Sequence, residues 1–487
     1  MLFNSYEFIF MFLPLTWITY FYLNHLGLER LSKMLLVACS LFFYSWWNIA
    51  YLPLIVASVA FNFFIGKHLS RDAPKGRLFS RKVVLYFGVI SNLALLAYFK
   101  YSDFFIENIN YLFDQNVTLL NLALPLAISF FTFQQISYLV DSHKSENHEY
   151  DFLNYALFVT FFPQLIAGPI VHHKEMMPQF SEAKNRNLNH RNISLGMFVF
   201  AIGLFKKVAI ADSLAVAATQ GFDVAETLNF VEAWATSLSY TFQLYFDFSG
   251  YTDMALGLAL LFNIRLPVNF NSPYKATNIQ DFWRRWHMTL SRFLKDYVYI
   301  PLGGNQKGDF RTYNNLLATF ILGGIWHGAG WTFVFWGFLH GAALVTHRFW
   351  SRRDLKMWNW LAWLITFNFV NIAWVFFRAQ EWSDALKVLG GMFNLHNIVL
   401  PRILYSYVPY FQDYGLEFGG VMNNLNATLS SFIWLTLAFI LSLLFKNSIE
   451  KLHNFKSDWS TLVTASVLLA AGILHLSEIT EFLYFDF

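Results

Sequence analysis

Three histidines, His327, His340 and His347, fall within residues 312–347, a run of 36 residues without a single Asp, Glu, Lys or Arg. An imidazole, whose ordinary pKa is about 6.5, can take a proton from a hydroxyl at neutral pH or attack an acyl group itself. His327 stands between Gly323-Gly324 and Gly328-Ala329-Gly330. One straight helix over this run would measure about 54 Å, against a hydrocarbon layer of about 30 Å. The run must therefore tilt, break or turn back, and the glycines are where it can break. A break at membrane depth survives only where protein or a water-filled cavity receives the freed backbone groups. Two readings of His327 stand side by side: a reactive imidazole at a polar cavity, or a neutral core histidine bonded to a carbonyl. His340 follows 13 residues later, about 220° around an ideal helix, so it faces elsewhere and is structural. His347 sits at the basic end and is interfacial.

A second stretch, residues 280–299, reads as one amphipathic helix. Trp283, Trp286, Leu290, Phe293, Leu294 and Tyr297 share a face, and Arg284, Arg285, Arg292 and Lys295 take the other. His287 lies at the edge of the apolar face. From the pattern alone, the favoured reading is a cationic interfacial anchor with an incidental histidine. The other reading points the imidazole into the protein and the cations at phosphate.

Weaker signals surround these two. Pro301-Leu302-Gly303-Gly304-Asn305 lacks the spacing and the Lys-Ser/Thr of a phosphate-binding loop, so it is a turn. Asp247 and Asp253 lie in or beside a long apolar run; they are either proton carriers or partners of buried Lys or Arg. His172-His173 read as interfacial, with no third ligand at a zinc spacing, and no metal site is expected.

The elements that must position these residues are membrane helices. Charged residues make up 13% of the 487, half the share of a soluble domain, while 56% are hydrophobic and 20% aromatic, with mean hydropathy +0.40. No water-soluble globule hides that much apolar surface. A net charge of +3 is no nucleic-acid signature, and one cysteine, Cys39, excludes an intrachain disulfide. Apolar runs at 8–23, 34–50, 52–65, 83–99, 119–140, 152–171, 193–217, 231–262, 316–349, 358–377, 430–445 and 461–476 predict an all-α polytopic protein of about 11–12 spans, with no cleavable signal. Residues 1–487 form a single membrane-embedded domain without internal repeats. Basic clusters at 67–82, 348–356 and 446–456 predict cytoplasmic loops. Both termini and residues 378–428 are then extracytoplasmic.

Several motifs, in order along the chain, make it recognisable. Leu124-Pro125-Leu126, Phe162-Pro163-Gln164-Leu165, Phe205-Lys206-Lys207 and Asp247-Phe248-Ser249-Gly250-Tyr251-Thr252-Asp253 precede Phe282-Trp283-Arg284-Arg285-Trp286-His287 and Gly323-Gly324-Ile325-Trp326-His327-Gly328-Ala329. Together they resemble the membrane-bound O-acyltransferase (MBOAT) family, in its bacterial alginate O-acetyltransferase-like branch. The resemblance implies helices, some interfacial or re-entrant, around a central tunnel, and a bacterial inner-membrane location. It assigns His327 as general base or transient acyl carrier, and His287 as the group that positions the thioester or stabilises its oxyanion. Arg284, Arg285 and Arg292 become candidates for the phosphates of acetyl-CoA, the expected donor; no cofactor is held permanently. The acceptor it implies is an extracytoplasmic polysaccharide, alginate or a related one, reached directly or through a separate periplasmic transferase. Peptidoglycan acetylation and D-alanyl transfer are alternatives within the same fold. A glycan or lipid transporter with His327 as proton relay is the competing class, and a scaffold without chemistry a third.

Overall fold

A computed structural model describes residues 1–70, 79–144, 151–353, 355–414, 416–425, 429–476 and 483. Helix dominates it, and the only strands among the described residues are one parallel pair, Val399–Pro401 beside Glu417–Gly419. Among the described residues, four helices are long and apolar enough to cross a membrane: Ile49–Leu69, Arg81–Phe113, His190–Val224 and Asn359–Arg378. Ser430–Leu444 and Trp459–Leu474 are shorter apolar helices. The architecture is the all-α polytopic one expected.

At its centre runs Phe230–Leu261, 32 residues long, started by a capping box in which Asn229 and Glu232 satisfy each other's backbone amides. It is buried on nearly every side, and its three carboxylates, Glu232, Asp247 and Asp253, all have partners within the protein. Against it packs the His190–Phe205 helix, so closely that a Cβ on Gly203 would lie 2.6 Å from the carbonyl oxygen of Gly250. The following wide turn, Lys206–Ala211, brings two lysines to the central helix. Lys206 Nζ meets Asp253 Oδ2 at 2.8 Å; Lys207 Nζ sits between Asp212 Oδ1 at 2.6 Å and Asp247 Oδ1 at 2.7 Å. Both aspartates are thus partners of buried lysines.

Three expected elements are interrupted. Residues 119–140 are helical only from Ile128, because Pro125 constrains the residue before it and Asp103 draws the amides of Leu120 and Asn121 into its carboxylate at 2.7 and 2.9 Å. The 152–171 run is cut at Phe161, ahead of Pro163, into Phe152–Thr160 and Phe162–Leu165. The single helix expected over 280–299 is instead Ile279–Trp283, a turn, Met288–Leu294 and a wide turn Lys295–Tyr299.

The described parts of the three basic loops lie on one face. Arg81 donates to the carbonyls of Leu69 and His143 at 2.9 and 2.7 Å. Tyr297 donates to Asp141 Oδ1 at 3.0 Å, tying that helix end to the 280–299 segment. Asn447 donates to Asn271 Oδ1 at 2.7 Å, and Arg285 to the carbonyl of Asn271 at 3.4 Å. Arg378, paired with Asp223, and Lys387, donating to the carbonyls of Phe222 and Ala225 at 2.7 and 2.8 Å, anchor the later segment at the opposite end of the His190–Val224 helix. Met1 is buried, its amine donating to the carbonyl of Phe43 at 3.2 Å. Arg71, Lys75 and Arg77 of the first basic loop, and the tail acids Glu478, Glu481 and Asp486, lie outside the described residues.

Candidate active site

The charge-free run does break at its glycines. Gly308–His327 ends on His327, residues 328–330 are extended, and Trp331–Ser351 turns back against it. The two helices touch through glycine: a Cβ on Gly324 would overlap the carbonyl of Phe333, and one on Gly337 that of Phe320. Asp309 pairs with Arg352 at the basic rim, so His327 stands about 30 Å away along its helix.

His287 reaches the same place from the turn that splits the 280–299 segment. Its backbone is left-handed, φ +42°, a conformation that costs a non-glycine residue about 1–2 kcal/mol. Asn269 holds it there. The Met288 amide donates to the Asn269 carbonyl at 2.9 Å. Asn269 Oδ1 accepts from the Thr289 amide at 3.2 Å, from the Thr289 hydroxyl at 2.9 Å and from His287 Nδ1 at 3.2 Å. An atom that accepts from a backbone amide is the carboxamide oxygen, so Nδ1 of His287 carries the proton and Nε2 of the neutral ring is a bare acceptor. A neutral His287 therefore cannot donate to an oxyanion. The oxyanion role that the resemblance implies needs this ring already protonated.

The two imidazoles lie 6.4 Å apart between centroids, at 62°. Nε2 of His287 and Nδ1 of His327 are buried and hydrogen-bonded to nothing in the protein. So are the indole Nε1 groups of Trp326 and Trp336, whose rings lie 4.8 and 5.2 Å from His327. Buried polar atoms are paired in most native proteins, so unpaired ones on neighbouring rings mark a place that water or a ligand can occupy. A bare acceptor on His287, an unpartnered ring nitrogen on His327 and two indole N–H groups thus lie on rings packed around His327.

His340 does not face elsewhere. The 220° offset assumed an unbroken helix, and with the break at 328–330 the ring enters the same aromatic layer. Trp336 separates it from His327, and its Nδ1 accepts from Trp283 Nε1 at 3.2 Å. With Nδ1 accepting, Nε2 carries the proton of the neutral ring, and it too is buried without a partner in the protein.

Of the three arginines expected at phosphate, only Arg284 opens into a cavity of about 670 Å³ at the basic face, alongside Lys295, His347, Arg348 and Arg352. Arg348 carries a buried Nε without a partner there. Arg285 is turned to Asp281, both contacts 3.0 Å, and Arg292 forms a two-pronged pair with Glu175 at 2.6 and 3.0 Å. The break in the helix explains this, since the four cations no longer share a face. The cavity's inner wall is Trp283, 5.9 Å from Trp336, which in turn touches His327.

Three residues around the site were not singled out from the sequence: Asn269, in an irregular segment, and Lys100 and Tyr101, near the end of an apolar run, whose side chains donate to the carbonyls of residues 325–327. No group of three or more His, Cys, Asp or Glu able to hold a metal occurs among the described residues.

The model of the membrane-bound O-acyltransferase family matches residues 7–380. The chain is 49% identical to the peptidoglycan O-acetyltransferase of Helicobacter pylori, over all of this chain and 98% of that one. It is 36% identical to the probable alginate O-acetylase AlgI of Pseudomonas putida, over the full length of both. Similarity to the teichoic acid D-alanyltransferase of Bacillus subtilis is 27%, over 53% of this chain and 70% of that one.

Proposed function

Because the chain belongs to the membrane-bound O-acyltransferase family, and is an O-acyltransferase with several membrane-crossing helices, we propose that it carries acetyl from cytoplasmic acetyl-CoA to a glycan hydroxyl outside the bacterial inner membrane. The observation that carries this reading is the meeting of His287 and His327 at the end of a helix whose middle turns, at Leu316, Thr319 and Phe320, line the basic cavity.

In this reading the basic face is cytoplasmic, by the positive-inside bias. Arg284, with Lys295 and Arg348, takes the donor's phosphates, and the thioester arm runs inward past Trp283 and Trp336. The acceptor oxygen attacks the thioester carbonyl carbon while a bare imidazole nitrogen takes the hydroxyl proton. His327 does this directly, or first accepts the acetyl group itself. His287, as a neutral acceptor, holds the incoming hydroxyl. The indole N–H groups of Trp326 and Trp336 are placed to receive the carbonyl oxygen as it becomes negative. Collapse expels the thiolate, which leaves with the proton.

The full-length similarity to a peptidoglycan O-acetyltransferase favours peptidoglycan as the acceptor, ahead of the alginate expected from the motifs. A separate extracytoplasmic transferase would dock opposite the basic face, where Ile403, Tyr405, Tyr407 and Tyr410 are exposed. The transporter reading, with His327 as its proton relay, yields to the match with the O-acyltransferase family and its O-acetyltransferase members. The test is purified protein with labelled acetyl-CoA, and base-released acetate from peptidoglycan and from exopolysaccharide of cells with and without the gene. Absence of both hydrolysis and transfer in vitro would overturn the donor assignment. An acetate difference confined to exopolysaccharide would overturn peptidoglycan.

A further inference from the structure

A helix leaves its last four carbonyls without intrahelical partners. In Gly308–His327 those are the carbonyls of Gly324, Ile325, Trp326 and His327, and each has an identifiable donor. The Gly328 amide reaches Gly324 at 3.3 Å. The Tyr101 hydroxyl donates to Ile325 at 2.7 Å. Lys100 Nζ donates to Trp326 at 2.7 Å and to His327 at 2.9 Å. Two consecutive residues of the Arg81–Phe113 helix thus close the end of another helix more than 200 positions away in sequence. Lys100 forms no ion pair with a carboxylate among the described residues. Its counter-charge is the negative end of the helix dipole, the place where a cation is favoured.

This cap sits on the one residue whose side chain the chemistry needs. The carbonyl of His327 belongs to the same residue as the bare imidazole, and that residue is the last before an extended three-residue break. Nothing on its C-terminal side continues the helical ladder to hold it. Glycines at 328 and 330 give the backbone freedom, so a bond to the His327 carbonyl restrains where the imidazole points.

We propose that Lys100 is the positioning residue for His327, clamping the carbonyls of Trp326 and His327 so that the imidazole and the Trp326 indole keep their places opposite His287. This rests on the reading of His327 as the reacting group. Tyr101, which bonds a carbonyl two residues earlier, is a stabilising contact only.

The experiment measures kcat and KM for acetyl-CoA on purified protein for Lys100→Met, Lys100→Arg, Tyr101→Phe and His327→Ala, each normalised to the folded, monodisperse fraction. Lys100→Met is expected to lower kcat about 100-fold, the scale of a misplaced catalytic group, with KM within about twofold. Lys100→Arg, which restores two donors and the charge, is expected to recover kcat to within about tenfold of wild type. Tyr101→Phe is expected to lower the melting temperature and leave kcat within about threefold. If Lys100→Met does not purify, Lys100→Leu, which likewise keeps no donor, is read in the same way. Lys100→Met with wild-type kcat, while His327→Ala is inactive, overturns the positioning role alone. So does a Tyr101→Phe loss as large as that of Lys100→Met, since general weakening of the helix end would then account for both. An active His327→Ala instead overturns the reading on which the proposal stands.

Discussion

Two polar clusters lie inside the same apolar shell, and they are built on opposite rules. Between the central helix and its neighbour, Lys206, Lys207, Asp212, Asp247, Asp253 and Ser448 answer one another's charges and hydrogen bonds at 2.6–2.8 Å. Between Gly308–His327 and the 287 turn, two imidazoles and two indoles leave four polar atoms with no partner in the protein. Burial is comparable in both. The closed cluster serves the fold, because each of its lysines is held by a carboxylate of the same chain, Lys207 by two. An open one is carried at the fold's expense, and its value lies in what it receives.

Removing a residue from the open cluster should therefore cost activity before stability. His327→Ala, or His327→Gln where size must be kept, should lower acetyl transfer by about 10²- to 10⁴-fold, the range for loss of a general base. The variant should still insert and elute as a folded species, since no hydrogen bond of the imidazole is lost. Near-wild-type transfer in labelled acetyl-CoA assays would erase the distinction between the clusters.

The closed cluster should respond the other way. Lys207→Met strands Asp212 and Asp247, and breaking a buried ion pair costs about 3–5 kcal/mol. The expected result is a large fall in melting temperature and in monodisperse yield, with kcat of the surviving protein unchanged. Combining it with Asp212→Asn and Asp247→Leu should restore much of the stability, because a cluster replaced as a unit leaves no charge behind. Thermal melts in detergent check both. A stable but inactive Lys207→Met would move this cluster to the working side of the comparison.

How much of this was legible in the sequence follows the same division. The composition and apolar runs identify a polytopic helical protein, because the bilayer imposes length and hydropathy on each span. The break beside His327 was readable, since a charge-free run of 36 residues exceeds the membrane and glycines mark where it yields. The break beside His287 was not. The apolar spacing through 280–299 suits a continuous helix, and a histidine at φ +42° is set by Asn269, almost 20 residues upstream. Long-range partners such as Lys100 to His327 and Asp141 to Tyr297 have no periodicity to announce them. For that reason the tautomer of His287, the layer occupied by His340 and the pairing of Arg285 and Arg292 all required the structure.

The smallest expected effect sharpens the comparison at the basic face, where open and paired cations stand within one segment. Arg284 is exposed, lines the 670 Å³ cavity and has no carboxylate partner among the described residues, while Arg285 and Arg292 are held by Asp281 and Glu175. If the cavity takes the donor's phosphates, Arg284→Gln should raise KM for acetyl-CoA about fivefold to tenfold at unchanged kcat, because a phosphate contact far from the reacting atoms binds ground state and transition state alike. Arg292→Gln should leave KM nearly as it is: its ion pair is partly exposed, worth about 1 kcal/mol or less, and its guanidinium is already spent on Glu175. Raising the salt concentration should weaken donor binding in the wild type and do so less in Arg284→Gln, since one screened contact has been removed. Equal KM values for the two variants would show that exposure to the cavity does not distinguish these arginines, and that the segment meets lipid headgroups with all of its cations alike.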